Sequence, residues 1–230
     1  MKKTDIAGNI SRIKAGLPPS VRLVAVSKFH PAESVEEAFR AGQVLFGENR
    51  VQEAAAKFDE LRSRGIEPEL HIIGSLQRNK VKEAVRIASC IQSVDRMELL
   101  SEIEKRCAQL GKSVDVLLEI KTGEETKSGF TSGNDVRAAL SALSAGEFPH
   151  VTVRGFMTMA PNTDDEKAVR DAFASVRRLR DSMVAEFPGL DLGELSMGMS
   201  GDYRIAVEEG STMVRIGTAI FGERDYGEGA

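Results

Sequence analysis

Short runs of apolar and β-branched residues recur along the chain and alternate with amphipathic stretches. Eight of these runs are predicted as strands: Leu23–Ser27, Val44–Glu48, Leu70–Gly74, Cys90–Val94, Val114–Ile120, Val151–Thr158, Asp191–Met197 and Met213–Ile220. Several are almost continuously apolar, which is typical of strands buried on both faces of a parallel sheet.

Apolar residues at three- and four-residue spacing predict helices between the strands. The clearest helix is predicted over Asp164–Phe187, where Thr163 and Glu166 fit a capping box at its start. Further helices are predicted over 5–15, 34–41, 97–110 and 202–208. Gly42 and Gly111 are placed to end two of them.

Strict alternation of strand and helix predicts parallel strands joined by crossover helices. Eight such units in 230 residues approach the usual size of a (β/α)₈ TIM-type barrel, about 250 residues. We therefore expect an α/β protein with a single barrel and an extra N-terminal helix. A doubly wound open sheet is the alternative, but it would more often have a glycine-rich turn after its first strand. No linker or repeat is visible, so one domain is expected over residues 1–230.

Composition narrows the class of protein further. Hydrophobic residues make up 41% and charged residues 29% of the chain, which is ordinary for a globular domain. The net charge of −4 gives no basic excess, which argues against a nucleic-acid binder. Cys90 and Cys107 lack metal-ligand spacing and are expected to be packing residues in a reducing compartment. With no signal peptide and no run of transmembrane length, a cytoplasmic location is predicted.

The functional groups of barrel enzymes lie at the carboxyl ends of the strands, so candidate residues are expected there. Lys28 follows the first strand directly and should lie in the barrel mouth. Partial removal from water favours a neutral amine, which can attack an aldehyde and form an imine. The alternative is an ordinary solvated lysine on a loop, and most lysines are exposed.

A second signal lies after the seventh and eighth strands. The loop Met197–Gly201 is rich in glycine, and Gly217-Thr218 interrupts a β-like run. Phosphate-binding barrels often place the anion between these two loops. Glycine would allow backbone amides to approach, and Ser200 and Thr218 could donate hydroxyl hydrogen bonds. The alternative is that the glycines serve only turns and tight packing.

An amine and a phosphate site together suggest a phosphorylated aldehyde, and pyridoxal 5′-phosphate fits both. Arg215 lies two residues before Gly217 and so shares its face of the strand. An inward arginine needs an acceptor. The pyridine nitrogen of the cofactor would serve, and a carboxylate such as Glu119 or Glu48 is the alternative.

Three other side chains complete the candidates. Asn49 could bond a ring substituent or only cap the following helix. Met199 belongs to the loop before Ser200 and is counted with the predicted cofactor-binding residues, although methionines are more often core. His71 could lie in the barrel mouth or be a satisfied core histidine.

Several segments, spread in order over nearly the whole chain, carry a family resemblance. They are Val24–Lys28, Phe46–Asn49, His71–Gly74, Lys127–Gly129, Arg154–Met157, Leu195–Ser200 and Gly210–Gly222, of which the last two together are highly specific. Through them the sequence resembles the pyridoxal phosphate homeostasis proteins, the YggS/PROSC family. One departure is Arg50, where relatives often have a tyrosine.

The resemblance implies a barrel like the N-terminal domain of alanine racemase. It implies that Lys28 carries pyridoxal 5′-phosphate as an internal aldimine, a Schiff base. It places the phosphate near Ser200, Gly217 and Thr218, and Arg215 near the pyridine nitrogen.

Two functions compete for this site. Racemisation needs a base on each face of the α-carbon, and alanine racemases take the second from a tyrosine of an additional domain across a dimer. The chain ends soon after the eighth strand and has only Tyr203 and Tyr226. We therefore expect a non-catalytic, monomeric carrier in vitamin B6 homeostasis, which could serve apo-enzymes that depend on pyridoxal phosphate. An amino-acid racemase is the alternative, and a phosphate-sugar-binding barrel without imine chemistry is the third possibility.

Overall fold

Eight parallel strands form a closed barrel in chain order, with β1 paired to β8. The computed structural model describes residues 4–123 and 128–222, so Lys127 and Tyr226 lie outside the described residues. The strands are β1 Arg22–Val26, β2 Leu45–Glu48, β3 Glu69–Ile72, β4 Cys90–Val94, β5 Val114–Ile120, β6 Val151–Thr158, β7 Glu194–Ser196 and β8 Met213–Ile216. The predicted TIM-type barrel is confirmed.

Helices alternate with the strands and surround the barrel. They are α1 Ile6–Ala15, α2 Ala32–Arg40, α3 Val51–Ser63, α4 Val81–Ile87, α5 Met97–Leu110, α6 Gly133–Ser144, α7 Glu166–Glu186, α8 Tyr203–Glu208 and α9 Thr218–Phe221, with a short 3₁₀ turn at Arg78–Lys80. Gly111 ends α5 in the left-handed conformation at φ 61°, as its position in the sequence predicts.

The extra N-terminal helix α1 is also present. Its cap is Asp5, whose Oδ1 accepts a hydrogen bond of 2.9 Å from the Gly8 amide. Ile6, Ile10 and Ile13 form its buried face. Because their spacing of three and four residues places them on one side, the helix packs onto the barrel along a single stripe.

Alternation along β1 sorts its side chains between two environments. Leu23 and Ala25 belong to the large core between barrel and helices, whereas Val24 packs inside the barrel with Leu45 and Met213. Val26 has the same inward parity as Val24. Lys28 lies two residues after Val26, so the same alternation directs its side chain into the barrel mouth.

The structure corrects local details of the predicted elements. The capping box of Thr163 and Glu166 is wrong, because Asp165 caps α7 by accepting from the amides of Lys167 and Ala168. The eighth strand ends at Ile216 rather than Ile220, and the remaining apolar residues form α9. A short apolar run has no periodicity that separates a strand from a turn of helix. Within the described ranges, no helix has the length and apolar character to cross a membrane.

Candidate functional site

A cavity of about 250 Å³ opens at the carboxyl ends of the strands. Every cofactor-binding residue predicted from the sequence lines it: Lys28, Asn49, Met199, Ser200, Arg215, Gly217 and Thr218. Val26, His30, Ile73, Met159 and Gly201 complete the described lining, which contains no Asp or Glu. The cavity is therefore rich in cationic and hydroxyl donors, a composition that suits an anionic ligand.

The turn after β1 brings Lys28 to this cavity in a constrained backbone. Lys28 is half-buried, and Phe29 beside it has φ 66°, the left-handed region. Among described residues other than glycine, only Phe29 has a positive φ. A bulky residue there costs about 1–3 kcal/mol and persists only where its surroundings hold it. The Arg50 guanidinium lies 5.4 Å from the centroid of the Phe29 ring, so this cation–π contact supports the turn.

Arg215 reaches the cavity from inside the barrel. The side chain is buried, with 4% exposure. Its Nη1 donates to the carbonyl oxygen and Oγ of Ser196 at 2.7 and 2.8 Å, and its Nη2 donates to the Thr158 carbonyl at 2.9 Å. The alternative of a carboxylate acceptor, Glu119 or Glu48, is therefore wrong for these hydrogen bonds, because their acceptors are neutral oxygens of β6 and β7. Burial lowers the pKa of Arg215 to about 10, which leaves the guanidinium charged at neutral pH.

Glu119 lies within the barrel and acts on Arg215 through its charge. Burial raises the pKa of this carboxyl to about 7; the charge of Asp95 adds to the rise and that of Arg215 opposes it. A group with a pKa near neutrality can hold either protonation state at physiological pH. The charge balance beside Arg215 therefore changes across the neutral range.

Two glycines allow the loops after β7 and β8 to approach the barrel mouth. Gly198 has φ 97°, and a Cβ there would lie 2.7 Å from the Cβ of Ala206. A Cβ on Gly217 would lie 3.0 Å from the Val26 carbonyl oxygen. Larger residues would push these loops outward. The exposed hydroxyl groups of Ser200 and Thr218 are thereby held next to the end of β1.

Asn49 and His30 line the same cavity as Lys28. The cap position of α3 is Arg50 and makes no side-chain cap bond, so Asn49 does not cap this helix. His30 is not among the residues predicted for the site, yet it lines the cavity, and its ring stacks on that of Phe221 with centroids 5.0 Å apart. Its position two residues after Lys28 is the sequence signal that could have found it.

A buried ion pair supports the same turn from outside the barrel wall. Lys57 Nζ lies 2.7 Å from Glu48 Oε1 and donates to the Ser27 carbonyl at 2.8 Å. The Ser27 hydroxyl donates to Glu48 Oε1 at 2.7 Å. Burial raises the pKa of Glu48, while Lys57 and Ser27 oppose the rise. These bonds fix the carbonyl that precedes Lys28.

His71 lies away from the mouth, so the mouth placement is wrong and the core alternative is confirmed. It faces a second cavity, of about 280 Å³, at the amino ends of the strands. The imidazole Nε2 lies 3.0 Å from Glu69 Oε1, and Nδ1 lies 2.7 Å from Gln92 Nε2. Arg22, Asp115, Arg154, Asp191 and Glu194 also line this second cavity.

The cysteines behave as packing residues. Both thiols are buried and unpaired with each other. Burial raises the pKa of Cys90 well above its usual range and that of Cys107 to about 11. Neither supplies a thiolate at neutral pH. Among the described residues, no group of three or more His, Cys, Asp or Glu side chains is arranged to hold a metal ion.

Solved structures show that the barrel has the fold of alanine racemases. An alanine racemase from Clostridium difficile superposes with a TM-score of 0.73 at 17% identity, covering 97% of this chain and 57% of that one. Identity this low shows a shared fold alone. The family model described as the alanine racemase N-terminal domain matches residues 2–225.

Closer relatives define the family. A pyridoxal phosphate homeostasis protein of Aquifex aeolicus is 42% identical over 206 residues, covering 89% of this chain and 88% of that protein. A protein of the same name from Pseudomonas aeruginosa is 39% identical over 236 residues, covering 97% and 98%. PipY of Synechococcus elongatus, solved with pyridoxal phosphate bound, has a TM-score of 0.88 at 40% identity, covering 95% of this chain and 100% of PipY. The chain therefore belongs to the pyridoxal phosphate homeostasis proteins, within the alanine racemase N-terminal domain family.

Proposed function

We propose that this chain binds pyridoxal 5′-phosphate covalently through Lys28 and serves vitamin B6 homeostasis without catalytic turnover. One observation carries the proposal. The half-buried amine of Lys28, the buried guanidinium of Arg215 and two loops that bear hydroxyl groups line the same cavity. The names of its relatives and the cofactor bound in PipY support it.

Different residues would bind different groups of the cofactor. The Lys28 amine would bond to the aldehyde carbon, while Ser200, Thr218 and the backbone at Gly217 would bind the phosphate. Arg215 would face the pyridine nitrogen. When bound, pyridoxal phosphate supplies a reactive aldehyde and a ring that can accept electrons. Asn49 and Met199 would contact the ring from the rim.

The lack of a second base supports a carrier rather than a racemase. A charged guanidinium at the pyridine nitrogen disfavours ring protonation and weakens the ring as an electron acceptor, but racemases accept the same handicap. The described lining contains no tyrosine that could act as the second base. Tyr203 lies in the helix after β7 and does not line the cavity.

His30 favours the racemase alternative, because it is a lining group that could exchange a proton. The test is to incubate loaded protein with L-alanine or L-serine in heavy water and to measure deuterium at the α-carbon together with the enantiomer ratio. We expect neither exchange nor inversion above a heat-denatured control. Exchange with inversion that disappears in His30→Gln would establish the racemase in place of the carrier.

The loaded protein should also show an imine absorbance band that borohydride removes. A colourless protein, indifferent to borohydride, would instead indicate a phosphate-binding barrel without imine chemistry. We further propose that residues 1–230 act as one domain, as a cytoplasmic monomer that can serve apo-enzymes. Light scattering of the loaded and unloaded protein at several concentrations tests the monomer.

A further inference from the structure

A continuous series of hydrogen bonds runs through the barrel interior from one cavity to the other. It begins at Arg215, whose Nη1 donates to Ser196 Oγ at 2.8 Å. Ser196 Oγ donates to Gln92 Oε1 at 2.6 Å, and Gln92 Nε2 lies 2.7 Å from His71 Nδ1. His71 Nε2 lies 3.0 Å from Glu69 Oε1 in the amino-end cavity.

The chemistry of its members gives this series one direction. A guanidinium can only donate, so the Ser196 oxygen accepts from Arg215 and its own proton goes to Gln92. The Gln92 carbonyl oxygen is thus committed to Ser196, and its amide nitrogen must donate to His71 Nδ1. This fixes His71 as the neutral tautomer that carries its proton on Nε2 and donates it to Glu69.

Each interior member is removed from water. Ser196 and Gln92 have no exposed surface, and His71 is 3% exposed. Bonds in such a setting are stronger than in water, and neighbouring bonds polarise one another. The series ends on opposite charges, Arg215 and Glu69. The hydrogen bond from His71, followed by the charge of Arg22, holds the pKa of Glu69 below its usual range, although burial opposes this.

We infer that Gln92 is a positioning residue for Arg215. It orients the Ser196 hydroxyl so that its oxygen accepts from the guanidinium, while His71 and Glu69 hold the Gln92 amide in its orientation. Gln92 does not line the carboxyl-end cavity, so it acts through Arg215 rather than on the ligand. The inference rests on the proposed function, since it concerns how the guanidinium is presented to the cofactor ring.

Glutamine suits this position because it presents an acceptor to one neighbour and a donor to the other. Methionine has a similar length but no donor, and its sulfur is only a weak acceptor. Glutamate would keep an acceptor for Ser196 but would turn a second acceptor towards His71 Nδ1. Gln92→Glu should therefore force a second proton onto the imidazole, which Gln92→Met should not.

Gln43 offers a matched control. It is also buried, at 2% exposure, and its Nε2 donates to the carbonyl oxygens of Leu23 and Leu45 at 2.7 and 2.6 Å. It does not line the carboxyl-end cavity and takes no part in the series. Gln43→Met and Gln92→Met both remove a buried amide, but only Gln92→Met removes a bond to the series that ends on Arg215.

The first measurement uses unloaded protein, with ¹⁵N resonances of His71 assigned through His71→Gln. We expect the neutral Nε2–H tautomer in the wild type and in Gln43→Met, and a doubly protonated ring in Gln92→Glu at pH 8. A wild-type imidazole protonated on both nitrogens at pH 8 would contradict the direction of the series and overturn the inference.

The second measurement is the rate at which loaded protein releases pyridoxal phosphate on dilution, together with the absorbance maximum of the bound cofactor. We expect Gln92→Met to release it about fivefold faster, as the loss of one hydrogen bond permits, and to shift the maximum. Gln43→Met should match the wild type in both. Equal behaviour of the two variants would overturn this inference alone, whereas a wild type that binds no cofactor would overturn the proposed function.

Discussion

The two ends of the barrel hold cavities of similar size and opposite design. The amino-end cavity measures about 280 Å³, and its charges are paired, with Arg22 bonded to Glu69 at 3.1 Å and Arg154 to Asp115 at 3.0 Å. The carboxyl-end cavity measures about 250 Å³ and has cationic and hydroxyl groups but no carboxylate among its described lining residues. The two cavities therefore differ in charge balance rather than in size, and the unbalanced set of donors is what favours the carboxyl-end cavity as the proposed binding site.

The two ends also differ in how they bury charge. At the carboxyl end, Glu48 and Lys57 form an ion pair with 0% and 10% of their side chains exposed. At the amino end, the Arg154 and Asp115 side chains are 40% and 39% exposed. Buried pairs are costly to break, whereas exposed pairs contribute little. Charge removal should therefore have a large effect at one end and a small effect at the other.

The largest effect is expected from Lys57→Met. It leaves the Glu48 carboxylate buried without its cation and frees the Ser27 carbonyl, which should lower the free energy of unfolding by about 3 kcal/mol. Urea denaturation measures this loss. The double variant Lys57→Met/Glu48→Gln removes both charges and should recover part of it. If Lys57→Met is as stable as the wild type, the predicted difference between charge removal at the two ends of the barrel is wrong.

The next effect concerns the ligand. Ser200→Ala/Thr218→Ala removes two hydroxyl donors from the proposed phosphate position. We expect affinity for pyridoxal phosphate to fall about a hundredfold, because each bond to a charged acceptor contributes about 1.5 kcal/mol. Affinity for pyridoxal, which has no phosphate, should stay unchanged. Ser89→Ala in the amino-end cavity is the control. Equal losses for both ligands would place the phosphate elsewhere.

A smaller effect should appear in the pH dependence of stability. The pKa of Glu119 is about 7 in the fold, above the unfolded value of about 4.3. Its stabilising contribution is fully present below the unfolded pKa and is lost as pH rises towards 7, because the unfolded chain ionises first. Glu119→Gln should match the wild type near pH 4 and exceed its free energy of unfolding by about 2 kcal/mol at pH 6. Parallel pH profiles would show that the carboxyl is not perturbed.

The smallest effect is expected from Arg154→Met. It breaks exposed pairs with Asp115 and Asp191, at 3.0 and 3.2 Å. The unfolding free energy should fall by about 0.5 kcal/mol, and the affinity for pyridoxal phosphate should not change. A loss of cofactor affinity would mean that the paired charges of the amino end also serve the ligand.

The sequence predicts most of the fold because barrel strands and helices have strong local signatures. The bounds of β4, β5, β6 and α5 agree with the predicted ones. The run that follows Gly217 is predicted as strand up to Ile220, but a strand and a turn of helix would both bury its apolar residues, and the structure has α9 there. The predictions from sequence are therefore weakest where an apolar run is too short to show the periodicity of a helix or a strand.

The site was predicted only in part, for a physical reason. Lys28, Ser200 and Thr218 follow strand ends, and a parallel barrel brings all such ends to one mouth. Gln92 and Ser196 lie within strands, and their contact depends on the stagger between β4 and β7, which periodicity does not reveal. His71 was placed at the mouth as one possibility because its depth along β3 could not be deduced.

The most direct test of the account is to map the lysine that pyridoxal phosphate modifies. Wild-type protein and Lys28→Ala would be incubated with equimolar cofactor, reduced with borohydride and digested, and their peptides would be identified by mass. We expect one modified peptide in the wild type, carrying the label on Lys28, and none above background in the variant. A label spread over surface lysines, or an equal label in Lys28→Ala, would contradict the assignment of the cofactor to the carboxyl-end cavity.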